Sequence, residues 1–68
     1  MKILTQNRKA VIELPREVWA SECGAVVSTS YISPQIGEYD SFDRAKEIVK
    51  EIFEYYRKGK NSYIMPEQ

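Results

Sequence analysis

Residues 41–59 (SFDRAKEIVKEIFEYYRKG) constrain the fold of this chain more than any other part of its sequence. Apolar and aromatic side chains recur there at spacings of three and four, with charged side chains between them, which predicts one amphipathic helix. Ser41 is the predicted N-cap, and Gly59 supplies the left-handed residue at which the helix ends. The apolar stripe consists of Ala45, Ile48, Val49, Ile52, Tyr55 and Tyr56, flanked by Phe42 and Phe53.

Short β-branched runs before the helix predict strands at residues 2–6, 10–14, 25–32 and 35–39. Residues 16–22 are ambiguous: Val18 and Ala20 alternate as in a strand, but Pro15 also suits the first turn of a short helix. We favour an edge strand there. The sequence therefore predicts a single α+β domain over residues 1–68, an antiparallel meander of three to five strands with one C-terminal helix packed on the sheet.

The apolar residues 63–65, Tyr-Ile-Met, follow the helix after a polar linker. A free end is normally polar and frays, so an apolar tail indicates a segment that is held in place. Two interpretations remain open. The tail packs on its own sheet as an extra strand, or it packs on a second copy of the protein.

The small size of the chain favours self-association. A domain of 68 residues buries only about 60% of the surface of its unfolded chain. One cysteine and no histidine leave neither an internal disulfide nor the usual zinc-ligand spacings. We therefore expect a homodimer, or a complex with another protein, although Trp19 and the helix stripe also suit core packing. The candidate interface residues are Trp19, Tyr31, Phe53, Tyr56, Tyr63, Ile64 and Met65.

The charge pattern argues against two other classes of partner. Ten basic and ten acidic side chains give no net charge, so the positive field of a generic nucleic-acid binder is missing. The apolar runs are too short for a membrane span or a signal peptide, which predicts a cytoplasmic protein without a membrane partner. The alternative is a small regulatory or nucleic-acid-binding accessory protein that uses a basic and aromatic mixture: Arg57, Lys58, Lys60, Tyr55, Tyr56 and Tyr63.

The residues with reactive side chains form no catalytic pattern. Cys23 has no histidine base to activate it, and the neighbouring Glu22 predicts a raised thiol pKa. Glu47 and Glu51 belong to the charged face of the predicted helix, where carboxylates are solvated. We expect a protein that is not an enzyme, with no catalytic residues, no cofactor and no metal site.

Three segments resemble a group of short uncharacterised proteins from low-GC Gram-positive bacteria and their phages. They are the opening MKILTQ, the run IGEYDSFDRAKEIVKEIFEYY with its Gly37-x-Tyr39 and Arg-Ala-Lys-Glu helix start, and the close YIMPEQ. The resemblance covers about half of the chain, and residues 15–33 depart from it. It implies a small strand-rich domain with a C-terminal helix and a prophage origin, but no activity and no functional residue.

Overall fold

The computed structural model describes residues 1–14, 17–29 and 35–68. Within these ranges the chain forms six strands and one helix, which confirms the predicted α+β class with a helix packed on the sheet. The strands are β1 (Lys2–Leu4), β2 (Val11–Glu13), β3 (Val18–Ala20), β4 (Ala25–Ser28), β5 (Gln35–Glu38) and β6 (Ser62–Ile64), and the helix is α1 (Phe42–Arg57). No helix in these ranges has the length and apolar character that a membrane span requires.

The helix has the predicted ends. The Ser41 hydroxyl accepts a hydrogen bond from the Arg44 amide at 3.0 Å, as an N-cap does. Gly59 has a φ of +76°, the left-handed conformation that ends many helices. The buried face is narrower than the predicted stripe, because only Ala45, Ile48 and Ile52 are fully covered.

The strands divide between two three-stranded sheets, with the orders β2-β1-β6 and β3-β4-β5. All neighbours are antiparallel except β6 and β1, which run parallel. A tight turn cannot join two parallel strands, and here most of the chain, including α1, lies between β1 and β6. The sequence predicts one antiparallel meander, whereas the structure has two sheets and one parallel pair of strands.

The structure decides two alternatives that the sequence left open. The segment at residues 16–22 contains a strand, β3, and the apolar tail packs on its own chain as β6. The predicted strand at 25–32 ends at Ser28 in β4, and residues 30–32 lie outside the described residues.

One core lies between the two sheets and the helix. Its buried members are Ile3, Leu14, Val26, Ile36, Tyr39, Ala45, Ile48, Ile52, Tyr63 and Met65. At one side of the core, Gln6 joins the two sheets. Its backbone N–H donates to the Ile36 carbonyl at 3.0 Å. Its side chain donates to the Glu38 carbonyl at 2.9 Å and accepts from the Glu38 amide at 2.6 Å. The Gln6 side chain thus pairs with the edge of β5 as a peptide group would.

Candidate interaction surfaces

Three apolar side chains lie in one row across the outer face of the sheet β2-β1-β6. Leu4 is in register with Val11 on one side and with Ile64 on the other. Because side chains alternate along a strand, these three point away from the core residues of the same strands. Val11 is 60% exposed, Ile64 is 63% exposed and Leu4 between them is half-buried. Leu4, Val11 and Ile64 are called the outer row below.

The next row on the same face is polar. Lys2 is in register with Glu13 on β2 and with Ser62 on β6. One basic and one acidic side chain therefore flank the outer row, and the N-terminal ammonium of the chain lies 3.4 Å from Glu13 Oε2. Alternation along β2 puts Val11 and Glu13 on the same side of the strand, but the alignment of Val11 with Ile64 depends on the pairing of both strands with β1, which no local pattern shows.

A second apolar surface, called the helix patch below, consists of Phe53 and Tyr56. These predicted interface residues lie one turn apart on α1, 59% and 48% exposed. Val49, one turn before Phe53, is partly buried against the core. The helix patch therefore borders the buried face of α1.

Trp19, another predicted interface residue, lies on β3 and is 45% exposed. Its neighbours Val18 and Ala20 pack against the core, so alternation places the indole on the opposite face of the sheet, beside Val27. The Trp19 side chain therefore does not pack into the core.

Tyr63 and Met65, also predicted as interface residues, are core residues with 3% and 0% exposure. They are buried because β6 adds to the chain's own sheet and turns both side chains inward, so neither lies on the surface. The Tyr63 hydroxyl donates to Glu51 Oε1 at 2.7 Å, and its ring meets that of Tyr55 edge to face. Burial, and then the bond to Glu51, raise the Tyr63 pKa well above its ordinary value. Tyr31 lies outside the described residues.

A fourth feature, the set of side chains that holds the end of the tail, has no recognisable pattern in the sequence. Four consecutive carbonyls, of residues 65–68, each accept a hydrogen bond from a side chain elsewhere in the fold. Arg8 donates to the first at 2.6 Å and the Tyr39 hydroxyl to the second at 2.7 Å. Gln6 Nε2 donates to the third at 2.8 Å and Arg44 to the fourth at 2.7 Å. Gln6, Arg8, Tyr39 and Arg44 are called the tail clamp below.

Two backbone features shape this site. Arg8 has a φ of +65°, an uncommon conformation for a residue with a side chain, and it lies in the turn that brings its guanidinium to the tail. Gly37 leaves the space that the Met65 side chain fills, because a Cβ there would lie 2.8 Å from Met65 Cε. The tail is therefore held through its backbone by the tail clamp and through one apolar side chain beside Gly37.

Cys23 is exposed and lies at a turn, as predicted, but its pKa differs from the prediction. The Ser21 hydroxyl lies 2.9 Å from Cys23 Sγ, and this hydrogen bond, followed by one from the backbone of Ala25, lowers the thiol pKa. The predicted increase in the Cys23 pKa from Glu22 is wrong, because these hydrogen bonds stabilise the thiolate and their effect dominates. Across the three described ranges, no group of three or more Cys, Asp and Glu side chains is arranged to hold a metal ion.

Comparison with protein-family models, with curated proteins and with solved structures returns no significant match for this chain.

Proposed function

We propose that this protein is a small, non-enzymatic interaction protein that works as a homodimer, with the outer row at the centre of the interface. One observation carries the proposal. Leu4, Val11 and Ile64 align across three strands, and no described element of the chain covers them. An apolar row in register on a sheet face, with two side chains more than half exposed, is typical of a surface that another protein covers.

The chemistry of this face favours a second copy as the partner. A two-fold dimer places the same patch on both subunits, so the patch must complement itself. The outer row supplies an apolar centre, and Lys2 and Glu13 supply one charge of each sign beside it, although Glu13 also pairs with the N-terminal ammonium of its own chain at 3.4 Å. The zero net charge of the chain adds little repulsion between copies.

The area that a stable dimer buries shows that the interface extends beyond the outer row. A stable pair buries about 800 Å² on each partner, roughly one sixth of the 4779 Å² surface of this chain. Three side chains cover only part of such an area. The interface therefore includes the polar row and the outer edge of β2, for which the described residues contain no strand partner.

Sedimentation equilibrium of the wild-type protein and two variants tests the proposal. We expect a wild-type dimer, a monomeric Val11→Lys variant and a dimeric Phe53→Lys variant. Val11 and Phe53 are similarly exposed, at 60% and 59%, so both lysines are solvated and circular dichroism serves as the folding control. A monomeric wild-type protein at about 100 μM would exclude the homodimer, because an interface of standard size associates well below that concentration. A dimer that is lost only in Phe53→Lys would place the interface on the helix patch instead.

The nucleic-acid-binding alternative has weaker support. Arg57 forms an ion pair with Glu54 at 2.8 Å, and Tyr63 is buried, so two members of the proposed basic and aromatic set are already engaged. Lys58, Lys60 and Tyr56 remain exposed. A salt-dependent mobility shift that disappears when Arg57, Lys58 and Lys60 become serine would favour this alternative.

We also propose a prophage origin and a cytoplasmic location, both of which rest on sequence reasoning. The resemblance of the opening, helix and closing segments to Gram-positive and phage proteins supports the first. Phage genes on both sides of the coding sequence, and recovery of the protein from the cytoplasmic fraction of its cells, are the expected observations.

A further inference from the structure

We propose that the tail clamp is a peptide-binding groove that also accepts the tail of a second copy, so that two chains exchange residues 62–68. This inference does not rest on the outer row, and the experiment below separates the two surfaces.

The contacts at the tail are those of peptide recognition. Side-chain donors bind four successive backbone carbonyls, which fixes an extended segment through its main chain. Met65 is the apolar anchor, fully buried in the space beside Gly37. Before the tail reaches the tail clamp, β6 adds to the edge of β1, and the Met65 amide donates to the Leu4 carbonyl at 3.2 Å.

Three of the four donors stay in position without the tail, because each has a second partner. Gln6 makes its two hydrogen bonds with the backbone of Glu38. Arg8 also donates to two carbonyls of its own turn. Arg44 pairs with Glu47 at 3.4 Å and lies over the Tyr39 ring. A groove that is ordered in advance loses little entropy when a peptide enters it.

The link between α1 and β6 allows the tail to leave. Residues 58–62 are all exposed. Gly59 has a positive φ, and in the described part of the chain no heavy atom beyond its neighbours in sequence lies within 4 Å of the position that a Cβ would take. The Gly59 and Lys60 amides donate to carbonyls in the last turn of α1, and the Asn61 carbonyl accepts from the Lys2 amide at 2.9 Å as part of the pairing with β1. Once the pairing with β1 and the bonds of the tail clamp break, a rotation at this link carries the tail away and leaves the helix folded.

A second copy is the occupant that the released tail requires. Release exposes Tyr63 and Met65, and the place that buries both again is the same groove beside β1 on another molecule. Exchange of one element between two identical chains is a common route to dimers when the hinge is short. A tail on its own chain has an effective concentration in the millimolar range, so in dilute solution each tail docks on its own chain and exchange is rare.

A variant that straightens the hinge tests the exchange. Replacement of Gly59, Lys60 and Asn61 by alanine continues the helix and carries the tail away from its own groove. We expect this variant to form a dimer with native circular dichroism, and to keep it when Val11→Lys is added. The matched control lengthens the same hinge with a Gly-Ser insert, which lets the tail reach its own groove, and exchange is then absent.

Several results would overturn the proposal. A folded but monomeric alanine variant would show that the tail does not dock in trans. A monomeric variant that binds an added peptide with the sequence of residues 62–68 would assign the groove to free peptides. A dimer that Val11→Lys abolishes would belong to the outer row.

If the alanine variant does not fold, refolding of the Val11→Lys variant, which cannot pair through the outer row, decides the question. Refolding at about 1 mM is expected to give a dimer that persists on dilution, because reversal requires both tails to leave. Refolding at about 10 μM gives the closed monomer. A dimer that dissociates at once on dilution contradicts exchange, since contact between surfaces needs no tail to be released.

Discussion

Replacing the buried serine of β4 is expected to stabilise the protein, although substitutions in a core usually destabilise. Ser28 is fully buried, and its hydroxyl is a buried side-chain group without a hydrogen-bond partner in the described part of the chain. A buried hydroxyl without a partner costs about 1–3 kcal/mol of folding free energy. The Ser28→Ala variant removes that cost and loses only the packing contacts of one oxygen atom, each worth about 0.1–0.2 kcal/mol.

The net gain is about 1 kcal/mol, and the chain length converts it to a temperature. An unfolding entropy of about 2.1 cal/mol/K per residue gives roughly 0.14 kcal/mol/K for 68 residues. One kcal/mol therefore raises the Tm by about 7 °C. Thermal unfolding followed by circular dichroism resolves such a change, and urea unfolding gives the free energy independently.

Thr5, next to β1, offers a matched control, because it is a buried residue whose hydroxyl has hydrogen-bond partners. It is also buried, at 5% exposure, but its hydroxyl lies 2.9 Å from Asn7 Oδ1 and 3.2 Å from the Ala10 carbonyl. The Thr5→Val variant keeps the volume and removes these bonds, so its unfolding free energy is expected to fall by about 1–2 kcal/mol. A Ser28→Ala variant that loses stability as Thr5→Val does would refute the reasoning, because the Ser28 hydroxyl would then have a partner.

Three other predictions concern the core, the thiol and the alkaline limit of stability. Gly37→Ala places a Cβ 2.8 Å from Met65 Cε, so we expect a loss of about 1–3 kcal/mol in urea unfolding; an unchanged free energy would mean that Met65 moves aside freely. Ser21→Ala removes the hydrogen bond that lowers the Cys23 pKa, so alkylation by iodoacetamide near neutral pH is expected to slow; an equal rate would leave the lowered pKa unexplained. The folded state raises the Tyr63 pKa, so stability from this group is present below about pH 10 and falls at higher pH, where only the unfolded chain releases the proton. Tyr63→Phe is expected to reduce that alkaline loss of unfolding free energy, and an identical pH dependence would contradict the raised pKa.

The helix was predictable because all of its determinants are local. The Ser41 cap, the apolar spacing and Gly59 occur in one window of sequence and agree with one another. The strand positions were predictable for the same reason, since alternation is also local. Their division into two sheets was not, because pairing depends on contacts between segments that are distant in sequence.

The candidate sites were harder to predict, for two physical reasons. Residues 63–65 are too few to show a period, so the sequence does not indicate which of them point inward, and the predicted surface positions of Tyr63 and Met65 are wrong. The tail clamp is built from Gln6, Arg8 and two later residues that share no spacing, and only the fold brings them to the tail. The outward position of Val11 was predictable, because Val11 alternates with the inward-facing Ile12. The outer row was not, because it depends on the register of β2 and β6 with β1.

β6 connects the two proposed surfaces, and its alternation determines how they depend on each other. Tyr63 and Met65 face the core, whereas Ile64 between them belongs to the outer row. A chain whose tail has left its groove therefore also lacks one end of that row. When the tail of a second copy docks, its Ile64 takes the same place beside Leu4, and the row is complete again. Substitution of Ile64 consequently affects both kinds of dimer, whereas Val11 lies outside the exchanged segment and separates them.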